Sequence, residues 1–83
     1  MHKLNEKENY KNVIEQGNGF LIKAEKSGNG FNDYQSAISL FKKANDLAKS
    51  KDEKHQSIYL QAKSMYLFYK CIENTGIKIF KKR

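Results

Sequence analysis

Proline is missing altogether from the 83 residues, cysteine occurs once, and the five glycines fall in two short clusters and one late position. Without the ring that fixes φ and removes an N–H donor, nothing forces a break in a helix, so long uninterrupted helices are expected. The single Cys71 excludes an intramolecular disulfide framework and points to a reducing compartment. One cysteine and two distant histidines, His2 and His55, cannot build a structural zinc site within one chain. On a shared helix His55 and Cys71 would stand about 24 Å apart at 1.5 Å per residue, too far for a nucleophile and its base. Gly28 and Gly30 precede no Gly-Lys-Ser/Thr sequence, so they mark a turn rather than a phosphate cradle. No apolar run approaches the roughly 20 residues of a membrane span. The stretch MHKLNEKENY lacks the apolar core of a signal peptide. The expectation is a cytoplasmic, non-enzymatic protein with no catalytic residues, no metal and no cofactor.

What is abundant is lysine. Sixteen Lys and Arg stand against nine Asp and Glu, for a net charge of +7, and nearly all of the positive charge is lysine. An ammonium is a point charge without the planar fork of arginine, so it attracts an anionic partner but reads nucleic-acid bases less well. A chain of this length makes one domain and leaves roughly a third or more of its unfolded-chain surface exposed. Deep active-site clefts are therefore not expected.

The periodicity is helical. Tyr10, Val13, Ile14, Gly17, Phe20, Leu21 and Ala24 recur at steps of three and four, predicting a first helix from about Asn5 to Lys26. Gly17 and Gly19 inside it each cost about 1 kcal/mol against alanine unless they mark a close helix–helix approach. Ser27-Gly28-Asn29-Gly30 is a turn signal. Asn32 with Gln35 reads as an Asn version of the capping box, starting a second helix over about 33–49 with Tyr34, Ala37, Ile38, Phe41, Ala44 and Ala48 on one stripe. Ser50 with Glu53 repeats the box and starts a third helix over 51–74, which Asn74-Thr75-Gly76 would stop. Short links force antiparallel neighbours, so the expected fold is all-α, an up-down-up three-helix bundle in a single domain, followed by a basic and apolar tail over 77–83.

The third helix carries two apolar sectors. At about 100° per residue, Ile58, Ala62, Met65, Tyr69 and Ile72 share one sector, flanked by Tyr66 and Phe68, and read as the core stripe. Leu60, Leu67 and Cys71, with Ser64 beside them, lie on roughly the opposite side. A far-side stripe in a small bundle is covered either by the tail residues Ile77, Ile79 and Phe80 or by a partner. Lys63 and Lys70 flank it, and Lys43 of the second helix can reach the same side. Leu60, Lys63, Ser64, Leu67, Lys70 and Cys71 are accordingly the expected partner site, suited to an amphipathic helix with acidic residues docked in a groove.

Tyr34-x2-Ala37-Ile38-x2-Phe41-x2-Ala44-x2-Leu47 is similar to the second helix of MIT (microtubule-interacting and trafficking) domains, and Ala62-x3-Tyr66-Leu67 to their third. Ala24 before the glycine turn fits the end of their first. The resemblance spans roughly residues 10 to 74. Tetratricopeptide repeats share the Ala37-x3-Phe41-x2-Ala44 ladder, but here the glycine turn is longer and no second repeat follows. The sequence departs from the MIT pattern in its short second link and in Cys71-Ile72, where the family has an Arg/Lys-Ala-Glu run. The resemblance implies a three-helix module that binds short motifs at helix grooves, in membrane-trafficking or autophagy machinery. A different reading assigns binding of nucleic acid or an anionic membrane to the tail, through Lys78, Lys81, Lys82 and Arg83. Self-association is a further possibility for the same apolar stripe.

Overall fold

The structure is a computed structural model that describes residues 9–27 and 30–74. It is all-helical, with α1 (Tyr10–Ser27), α2 (Phe31–Leu47) and α3 (Lys51–Asn74) packed as a small three-helix bundle. The expected helical start at Asn5 and the tail 77–83, including Lys78, Lys81, Lys82 and Arg83, lie outside the described residues.

Local chemistry explains the helix starts. Asn9 caps α1: its Oδ1 accepts from the Asn12 N–H at 2.9 Å, and its carbonyl accepts from the Val13 N–H at 3.1 Å. The expected cap at Asn32 is not formed. Gly30 holds the cap position of α2 with φ −98° and ψ 40° and no side-chain hydrogen bond, so Asn32 falls inside the first turn. The reason is steric: a Cβ on Gly30 would stand 2.4 Å from the Ala24 Cα, so only glycine lets the chain turn back this tightly against α1. Helix α2 ends at Leu47, where Ala48 turns extended at φ −63° and ψ 138°. The Ser50 box of α3 is formed. The Glu53 N–H donates to Ser50 Oγ at 3.1 Å, and Glu53 Oε1 accepts from the Lys49 N–H at 2.8 Å, one residue before the usual partner.

Helix α2 is central and packs against both neighbours. Phe31, at its start, pairs with Phe68 near the end of α3, ring centroids 5.0 Å apart, while Asn45 near its end accepts from Ser57 Oγ at 3.1 Å. Those two contacts fix α2 and α3 as antiparallel. Helices α1 and α3 meet at the end where both begin, where the Tyr10 hydroxyl donates to the Glu53 carbonyl at 2.9 Å and also reaches Gln56 Oε1. The order is therefore up-down-up.

The buried core is Val13, Ile14, Leu21 and Ala24 of α1, Tyr34, Ala37, Phe41 and Ala44 of α2, and Cys71 of α3. Each helix brings small residues a heptad apart to this seam: Gly17 and Ala24, Ala37 and Ala44, and Ser57, Ser64 and Cys71. Small side chains at that spacing let backbones approach, and the larger residues between them fill what remains.

The orientation of α3 is the reverse of the sequence expectation. Ser57 and Ser64 are fully buried, Cys71 is buried, and Leu60 and Leu67 pack half-buried against the core. Ile58, Met65 and Tyr69, expected inside, are exposed, as are Ala62, Tyr59 and Tyr66. Serine tolerates this burial because each hydroxyl has an acceptor within its own helix, the single Ser57 proton being shared between the Lys54 carbonyl at 2.9 Å and Asn45, and Ser64 Oγ donating to the Leu60 carbonyl at 2.8 Å.

Candidate functional site

Turning Ser57, Ser64 and Cys71 toward α2 points the opposite face of α3 at solvent, because residues half a turn away project to the other side. That face carries Tyr59, Tyr66 and Tyr69, which are 63%, 62% and 57% exposed, and Ile58 at 51%. Met65 lies at one edge. On a surface where large apolar side chains usually occur singly, such a contiguous strip along one helix is the feature that calls for an explanation.

Along the Met65 edge the strip borders a shallow cleft of ≈ 290 Å³ between α2 and α3, lined by Gln35, Ile38, Ser39, Met65, Phe68 and Tyr69. Its aromatic wall continues from Tyr69 to Phe68, centroids 5.6 Å apart, and from Phe68 to Phe31. The other edge is basic. Lys63 and Lys70 are exposed, and the Lys70 Nζ stands 5.9 Å from the centre of the Tyr66 ring, so the ammonium rests beside an aromatic face.

The expected partner site divides between two surfaces. Leu60, Ser64, Leu67 and Cys71 face the bundle interior, where small residues on α3 let it approach α2 closely; these residues are corrected from docking surface to packing. Lys63 and Lys70 are on the outside as expected, but they flank tyrosines rather than leucines. Tyr59, Tyr66 and Tyr69 were not singled out as a surface by sequence reasoning. The heptad match of Ser57, Ser64 and Cys71 to Ala37 and Ala44 is the signal that would have found them.

Two tyrosines belong to the fold rather than to this strip. Burial raises the Tyr10 phenol above its ordinary value of 10.0, helped by the nearby Glu53 carboxylate. Burial likewise raises Tyr34, with Glu25 and then Cys71 adding to the effect. Both therefore stay neutral and act as hydrogen-bonding or packing groups. Among the described residues no group of three or more His, Cys, Asp and Glu could hold a metal ion, and no buried side-chain nitrogen or oxygen lacks a partner. No described helix is long and apolar enough to cross a membrane.

Comparison with protein-family models, with curated proteins and with solved structures found no match.

Proposed function

We propose that this chain is a non-catalytic protein–protein interaction module, MIT-like in organisation, that takes an amphipathic helix of a peptide or partner subunit along the outer face of α3. The observation that carries the reading is the run of exposed Ile58, Tyr59, Tyr66 and Tyr69 on one side of a helix whose other side is committed to the core. Tyrosine is among the residues most enriched where interfaces concentrate their energy, since it combines a large rigid apolar area with a polar tip. Lys63 and Lys70 at the edge favour a partner that brings acidic side chains to that side. A cytoplasmic setting, and a role in trafficking or autophagy, follow from the single cysteine and the MIT resemblance respectively.

The test is capture of bound proteins on wild type and on Tyr66→Glu. Tyr66 is exposed, so the substitution leaves the thermal melt unchanged. A helical protein carrying acidic residues, retained by wild type and lost by Tyr66→Glu, is the expected result. Equal retention by both, or recovery of only nucleic acid or anionic lipid that is released steeply as salt rises, would transfer function to the basic tail instead.

A further inference from the structure

The outer face of α3 has an internal symmetry. At about 100° per residue, Ala62 lies at the centre of the face, with Lys51, Ile58, Met65 and Tyr69 within about 60° on one side and His55, Tyr59, Tyr66 and Glu73 within about 60° on the other. All of these residues except the alanine are large or charged, all are exposed, and the alanine is exposed too. Two antiparallel helices related by a twofold axis bring the same edge of each face together, a residue below the axis on one copy meeting the residue equally far above it on that edge of the other. An axis through Ala62 therefore sets Ile58 against Met65, Tyr59 against Tyr66, and Lys51 near Glu73. Each pairing occurs twice.

Charge follows the same symmetry. Asp52 and Lys70 lie about five turns apart at 3.6 residues per turn, hence on the same edge of the face, and their midpoint is one residue from Ala62. In the twofold arrangement that edge of one copy meets the same edge of the other, so Asp52 comes within the reach of a lysine side chain from Lys70. Asp52 and Glu73 thus lie opposite Lys70 and Lys51, and Lys63, at the margin of the face, stands near its own copy. Ala62, at the centre, presents only a methyl group and lets the two helices cross closely.

The area is sufficient. At about 150–250 Å² for a whole aromatic side chain, the exposed parts of the three tyrosines with Ile58 and Met65 amount to on the order of 600 Å² per copy. The flanking charged residues bring this near the ~800 Å² per partner of a standard-size interface.

Resting on the reading of this face as a docking surface, we infer that its partner helix is α3 of a second copy of the chain, packed antiparallel about Ala62. The monomer's net charge of +7 opposes the association in general, and the Lys51 with Glu73 and Lys70 with Asp52 pairings are what offset it locally.

Sedimentation equilibrium of the whole chain from about 1 to 500 µM is expected to show a monomer–dimer equilibrium. Ala62→Glu should be monomeric with an unchanged helical melt, because the residue is exposed in the monomer and central in the dimer. Glu73→Lys should weaken the dimer about three- to tenfold, and adding Lys51→Glu in the same chain should restore it. Ala62→Cys should form a symmetric bridge between copies under mild oxidation, located by mass spectrometry, whereas Ile58→Cys should bridge to Met65→Cys of another copy and not to itself. An Ile58→Cys bridge to itself would mean parallel pairing and overturn the inference. A monomer throughout the range overturns it as well. In that case loss of a captured helical partner by Tyr66→Glu would leave the docking face standing, and equal capture by wild type and Tyr66→Glu would remove both.

Discussion

Gly17 of α1 lies directly against the ring of Phe41 in α2: a Cβ on the glycine would stand 2.6 Å from the ring's Cε1 and 2.9 Å from its Cζ. Phe41 is completely buried, so the ring has no free direction in which to yield. Two residues along the same helix, Gly19 has open space where its side chain would be.

The two glycines should consequently respond in opposite directions to alanine. Gly19→Ala gains helix propensity without a clash and should stabilise by up to about 1 kcal/mol. Gly17→Ala gains the same propensity but overpacks a filled core, which costs about 1–3 kcal/mol, so its net effect is destabilising. Chemical denaturation of both variants checks the contrast, and stabilisation by Gly17→Ala would show that α1 and α2 are not in this contact.

Substitutions on α3 should sort by the face they occupy. Ser64 is completely buried, so Ser64→Leu forces extra volume into the seam and should cost about 1–3 kcal/mol or more. Leu67→Asp places a carboxylate in a half-buried position packed on the core and should cost about 1–3 kcal/mol. Met65→Ala, on an exposed side chain, should cost less than about 1 kcal/mol, well below the 2–5 kcal/mol of a core truncation. Melts of the three variants in dilute solution, where the monomer dominates, give the ordering.

Alkali should unfold the protein partly through two phenols. The pKa of Tyr10 is raised by burial and then by Glu53, and that of Tyr34 by burial, then Glu25, then Cys71. The folded state therefore holds these protons more tightly than the unfolded chain does. The stability they contribute is fully present below the unfolded value of about 10 and is lost as pH rises from there through the raised folded values. Urea titrations between about pH 9 and 12 should show this decline, and Tyr10→Phe and Tyr34→Phe should each make it shallower. An unchanged decline in both variants would assign it to other groups.

The all-helical class, the three helices and the start of α3 were legible in the sequence because they rest on local chemistry. Absence of proline, the three-and-four spacing and the Ser50 box act within a few residues of chain. The direction in which α3 faces was not legible from hydropathy, which ranks Met65, Ile58 and the tyrosines above serine as core residues. What decides that direction is how closely two backbones can approach, and there Ser57 and Ser64 are favoured by being small, once their hydroxyls are satisfied by the Lys54 and Leu60 carbonyls. The same size argument explains the failed cap at Asn32, where the tight contact of Gly30 with Ala24 starts the helix two residues too early for asparagine to serve. Of the expected partner site, Lys63 and Lys70 are exposed along one edge of the tyrosine strip, while Ser64 and Cys71 are buried and Leu60 and Leu67 half-buried.

Cys71 offers the most direct check on that reversal, since it is the chain's one cysteine and closes the buried seam of α3 at 8% exposure. The rate at which a thiol reagent modifies it in the unmutated protein reports which face of the helix is inside. With Ser57, Ser64 and Cys71 turned toward α2, modification should be slow in buffer, limited by opening of the structure, and should accelerate sharply as denaturant is added. Modification in buffer as fast as in the unfolded chain would place Cys71 on the surface, and with it would fall the aromatic face proposed as the docking site.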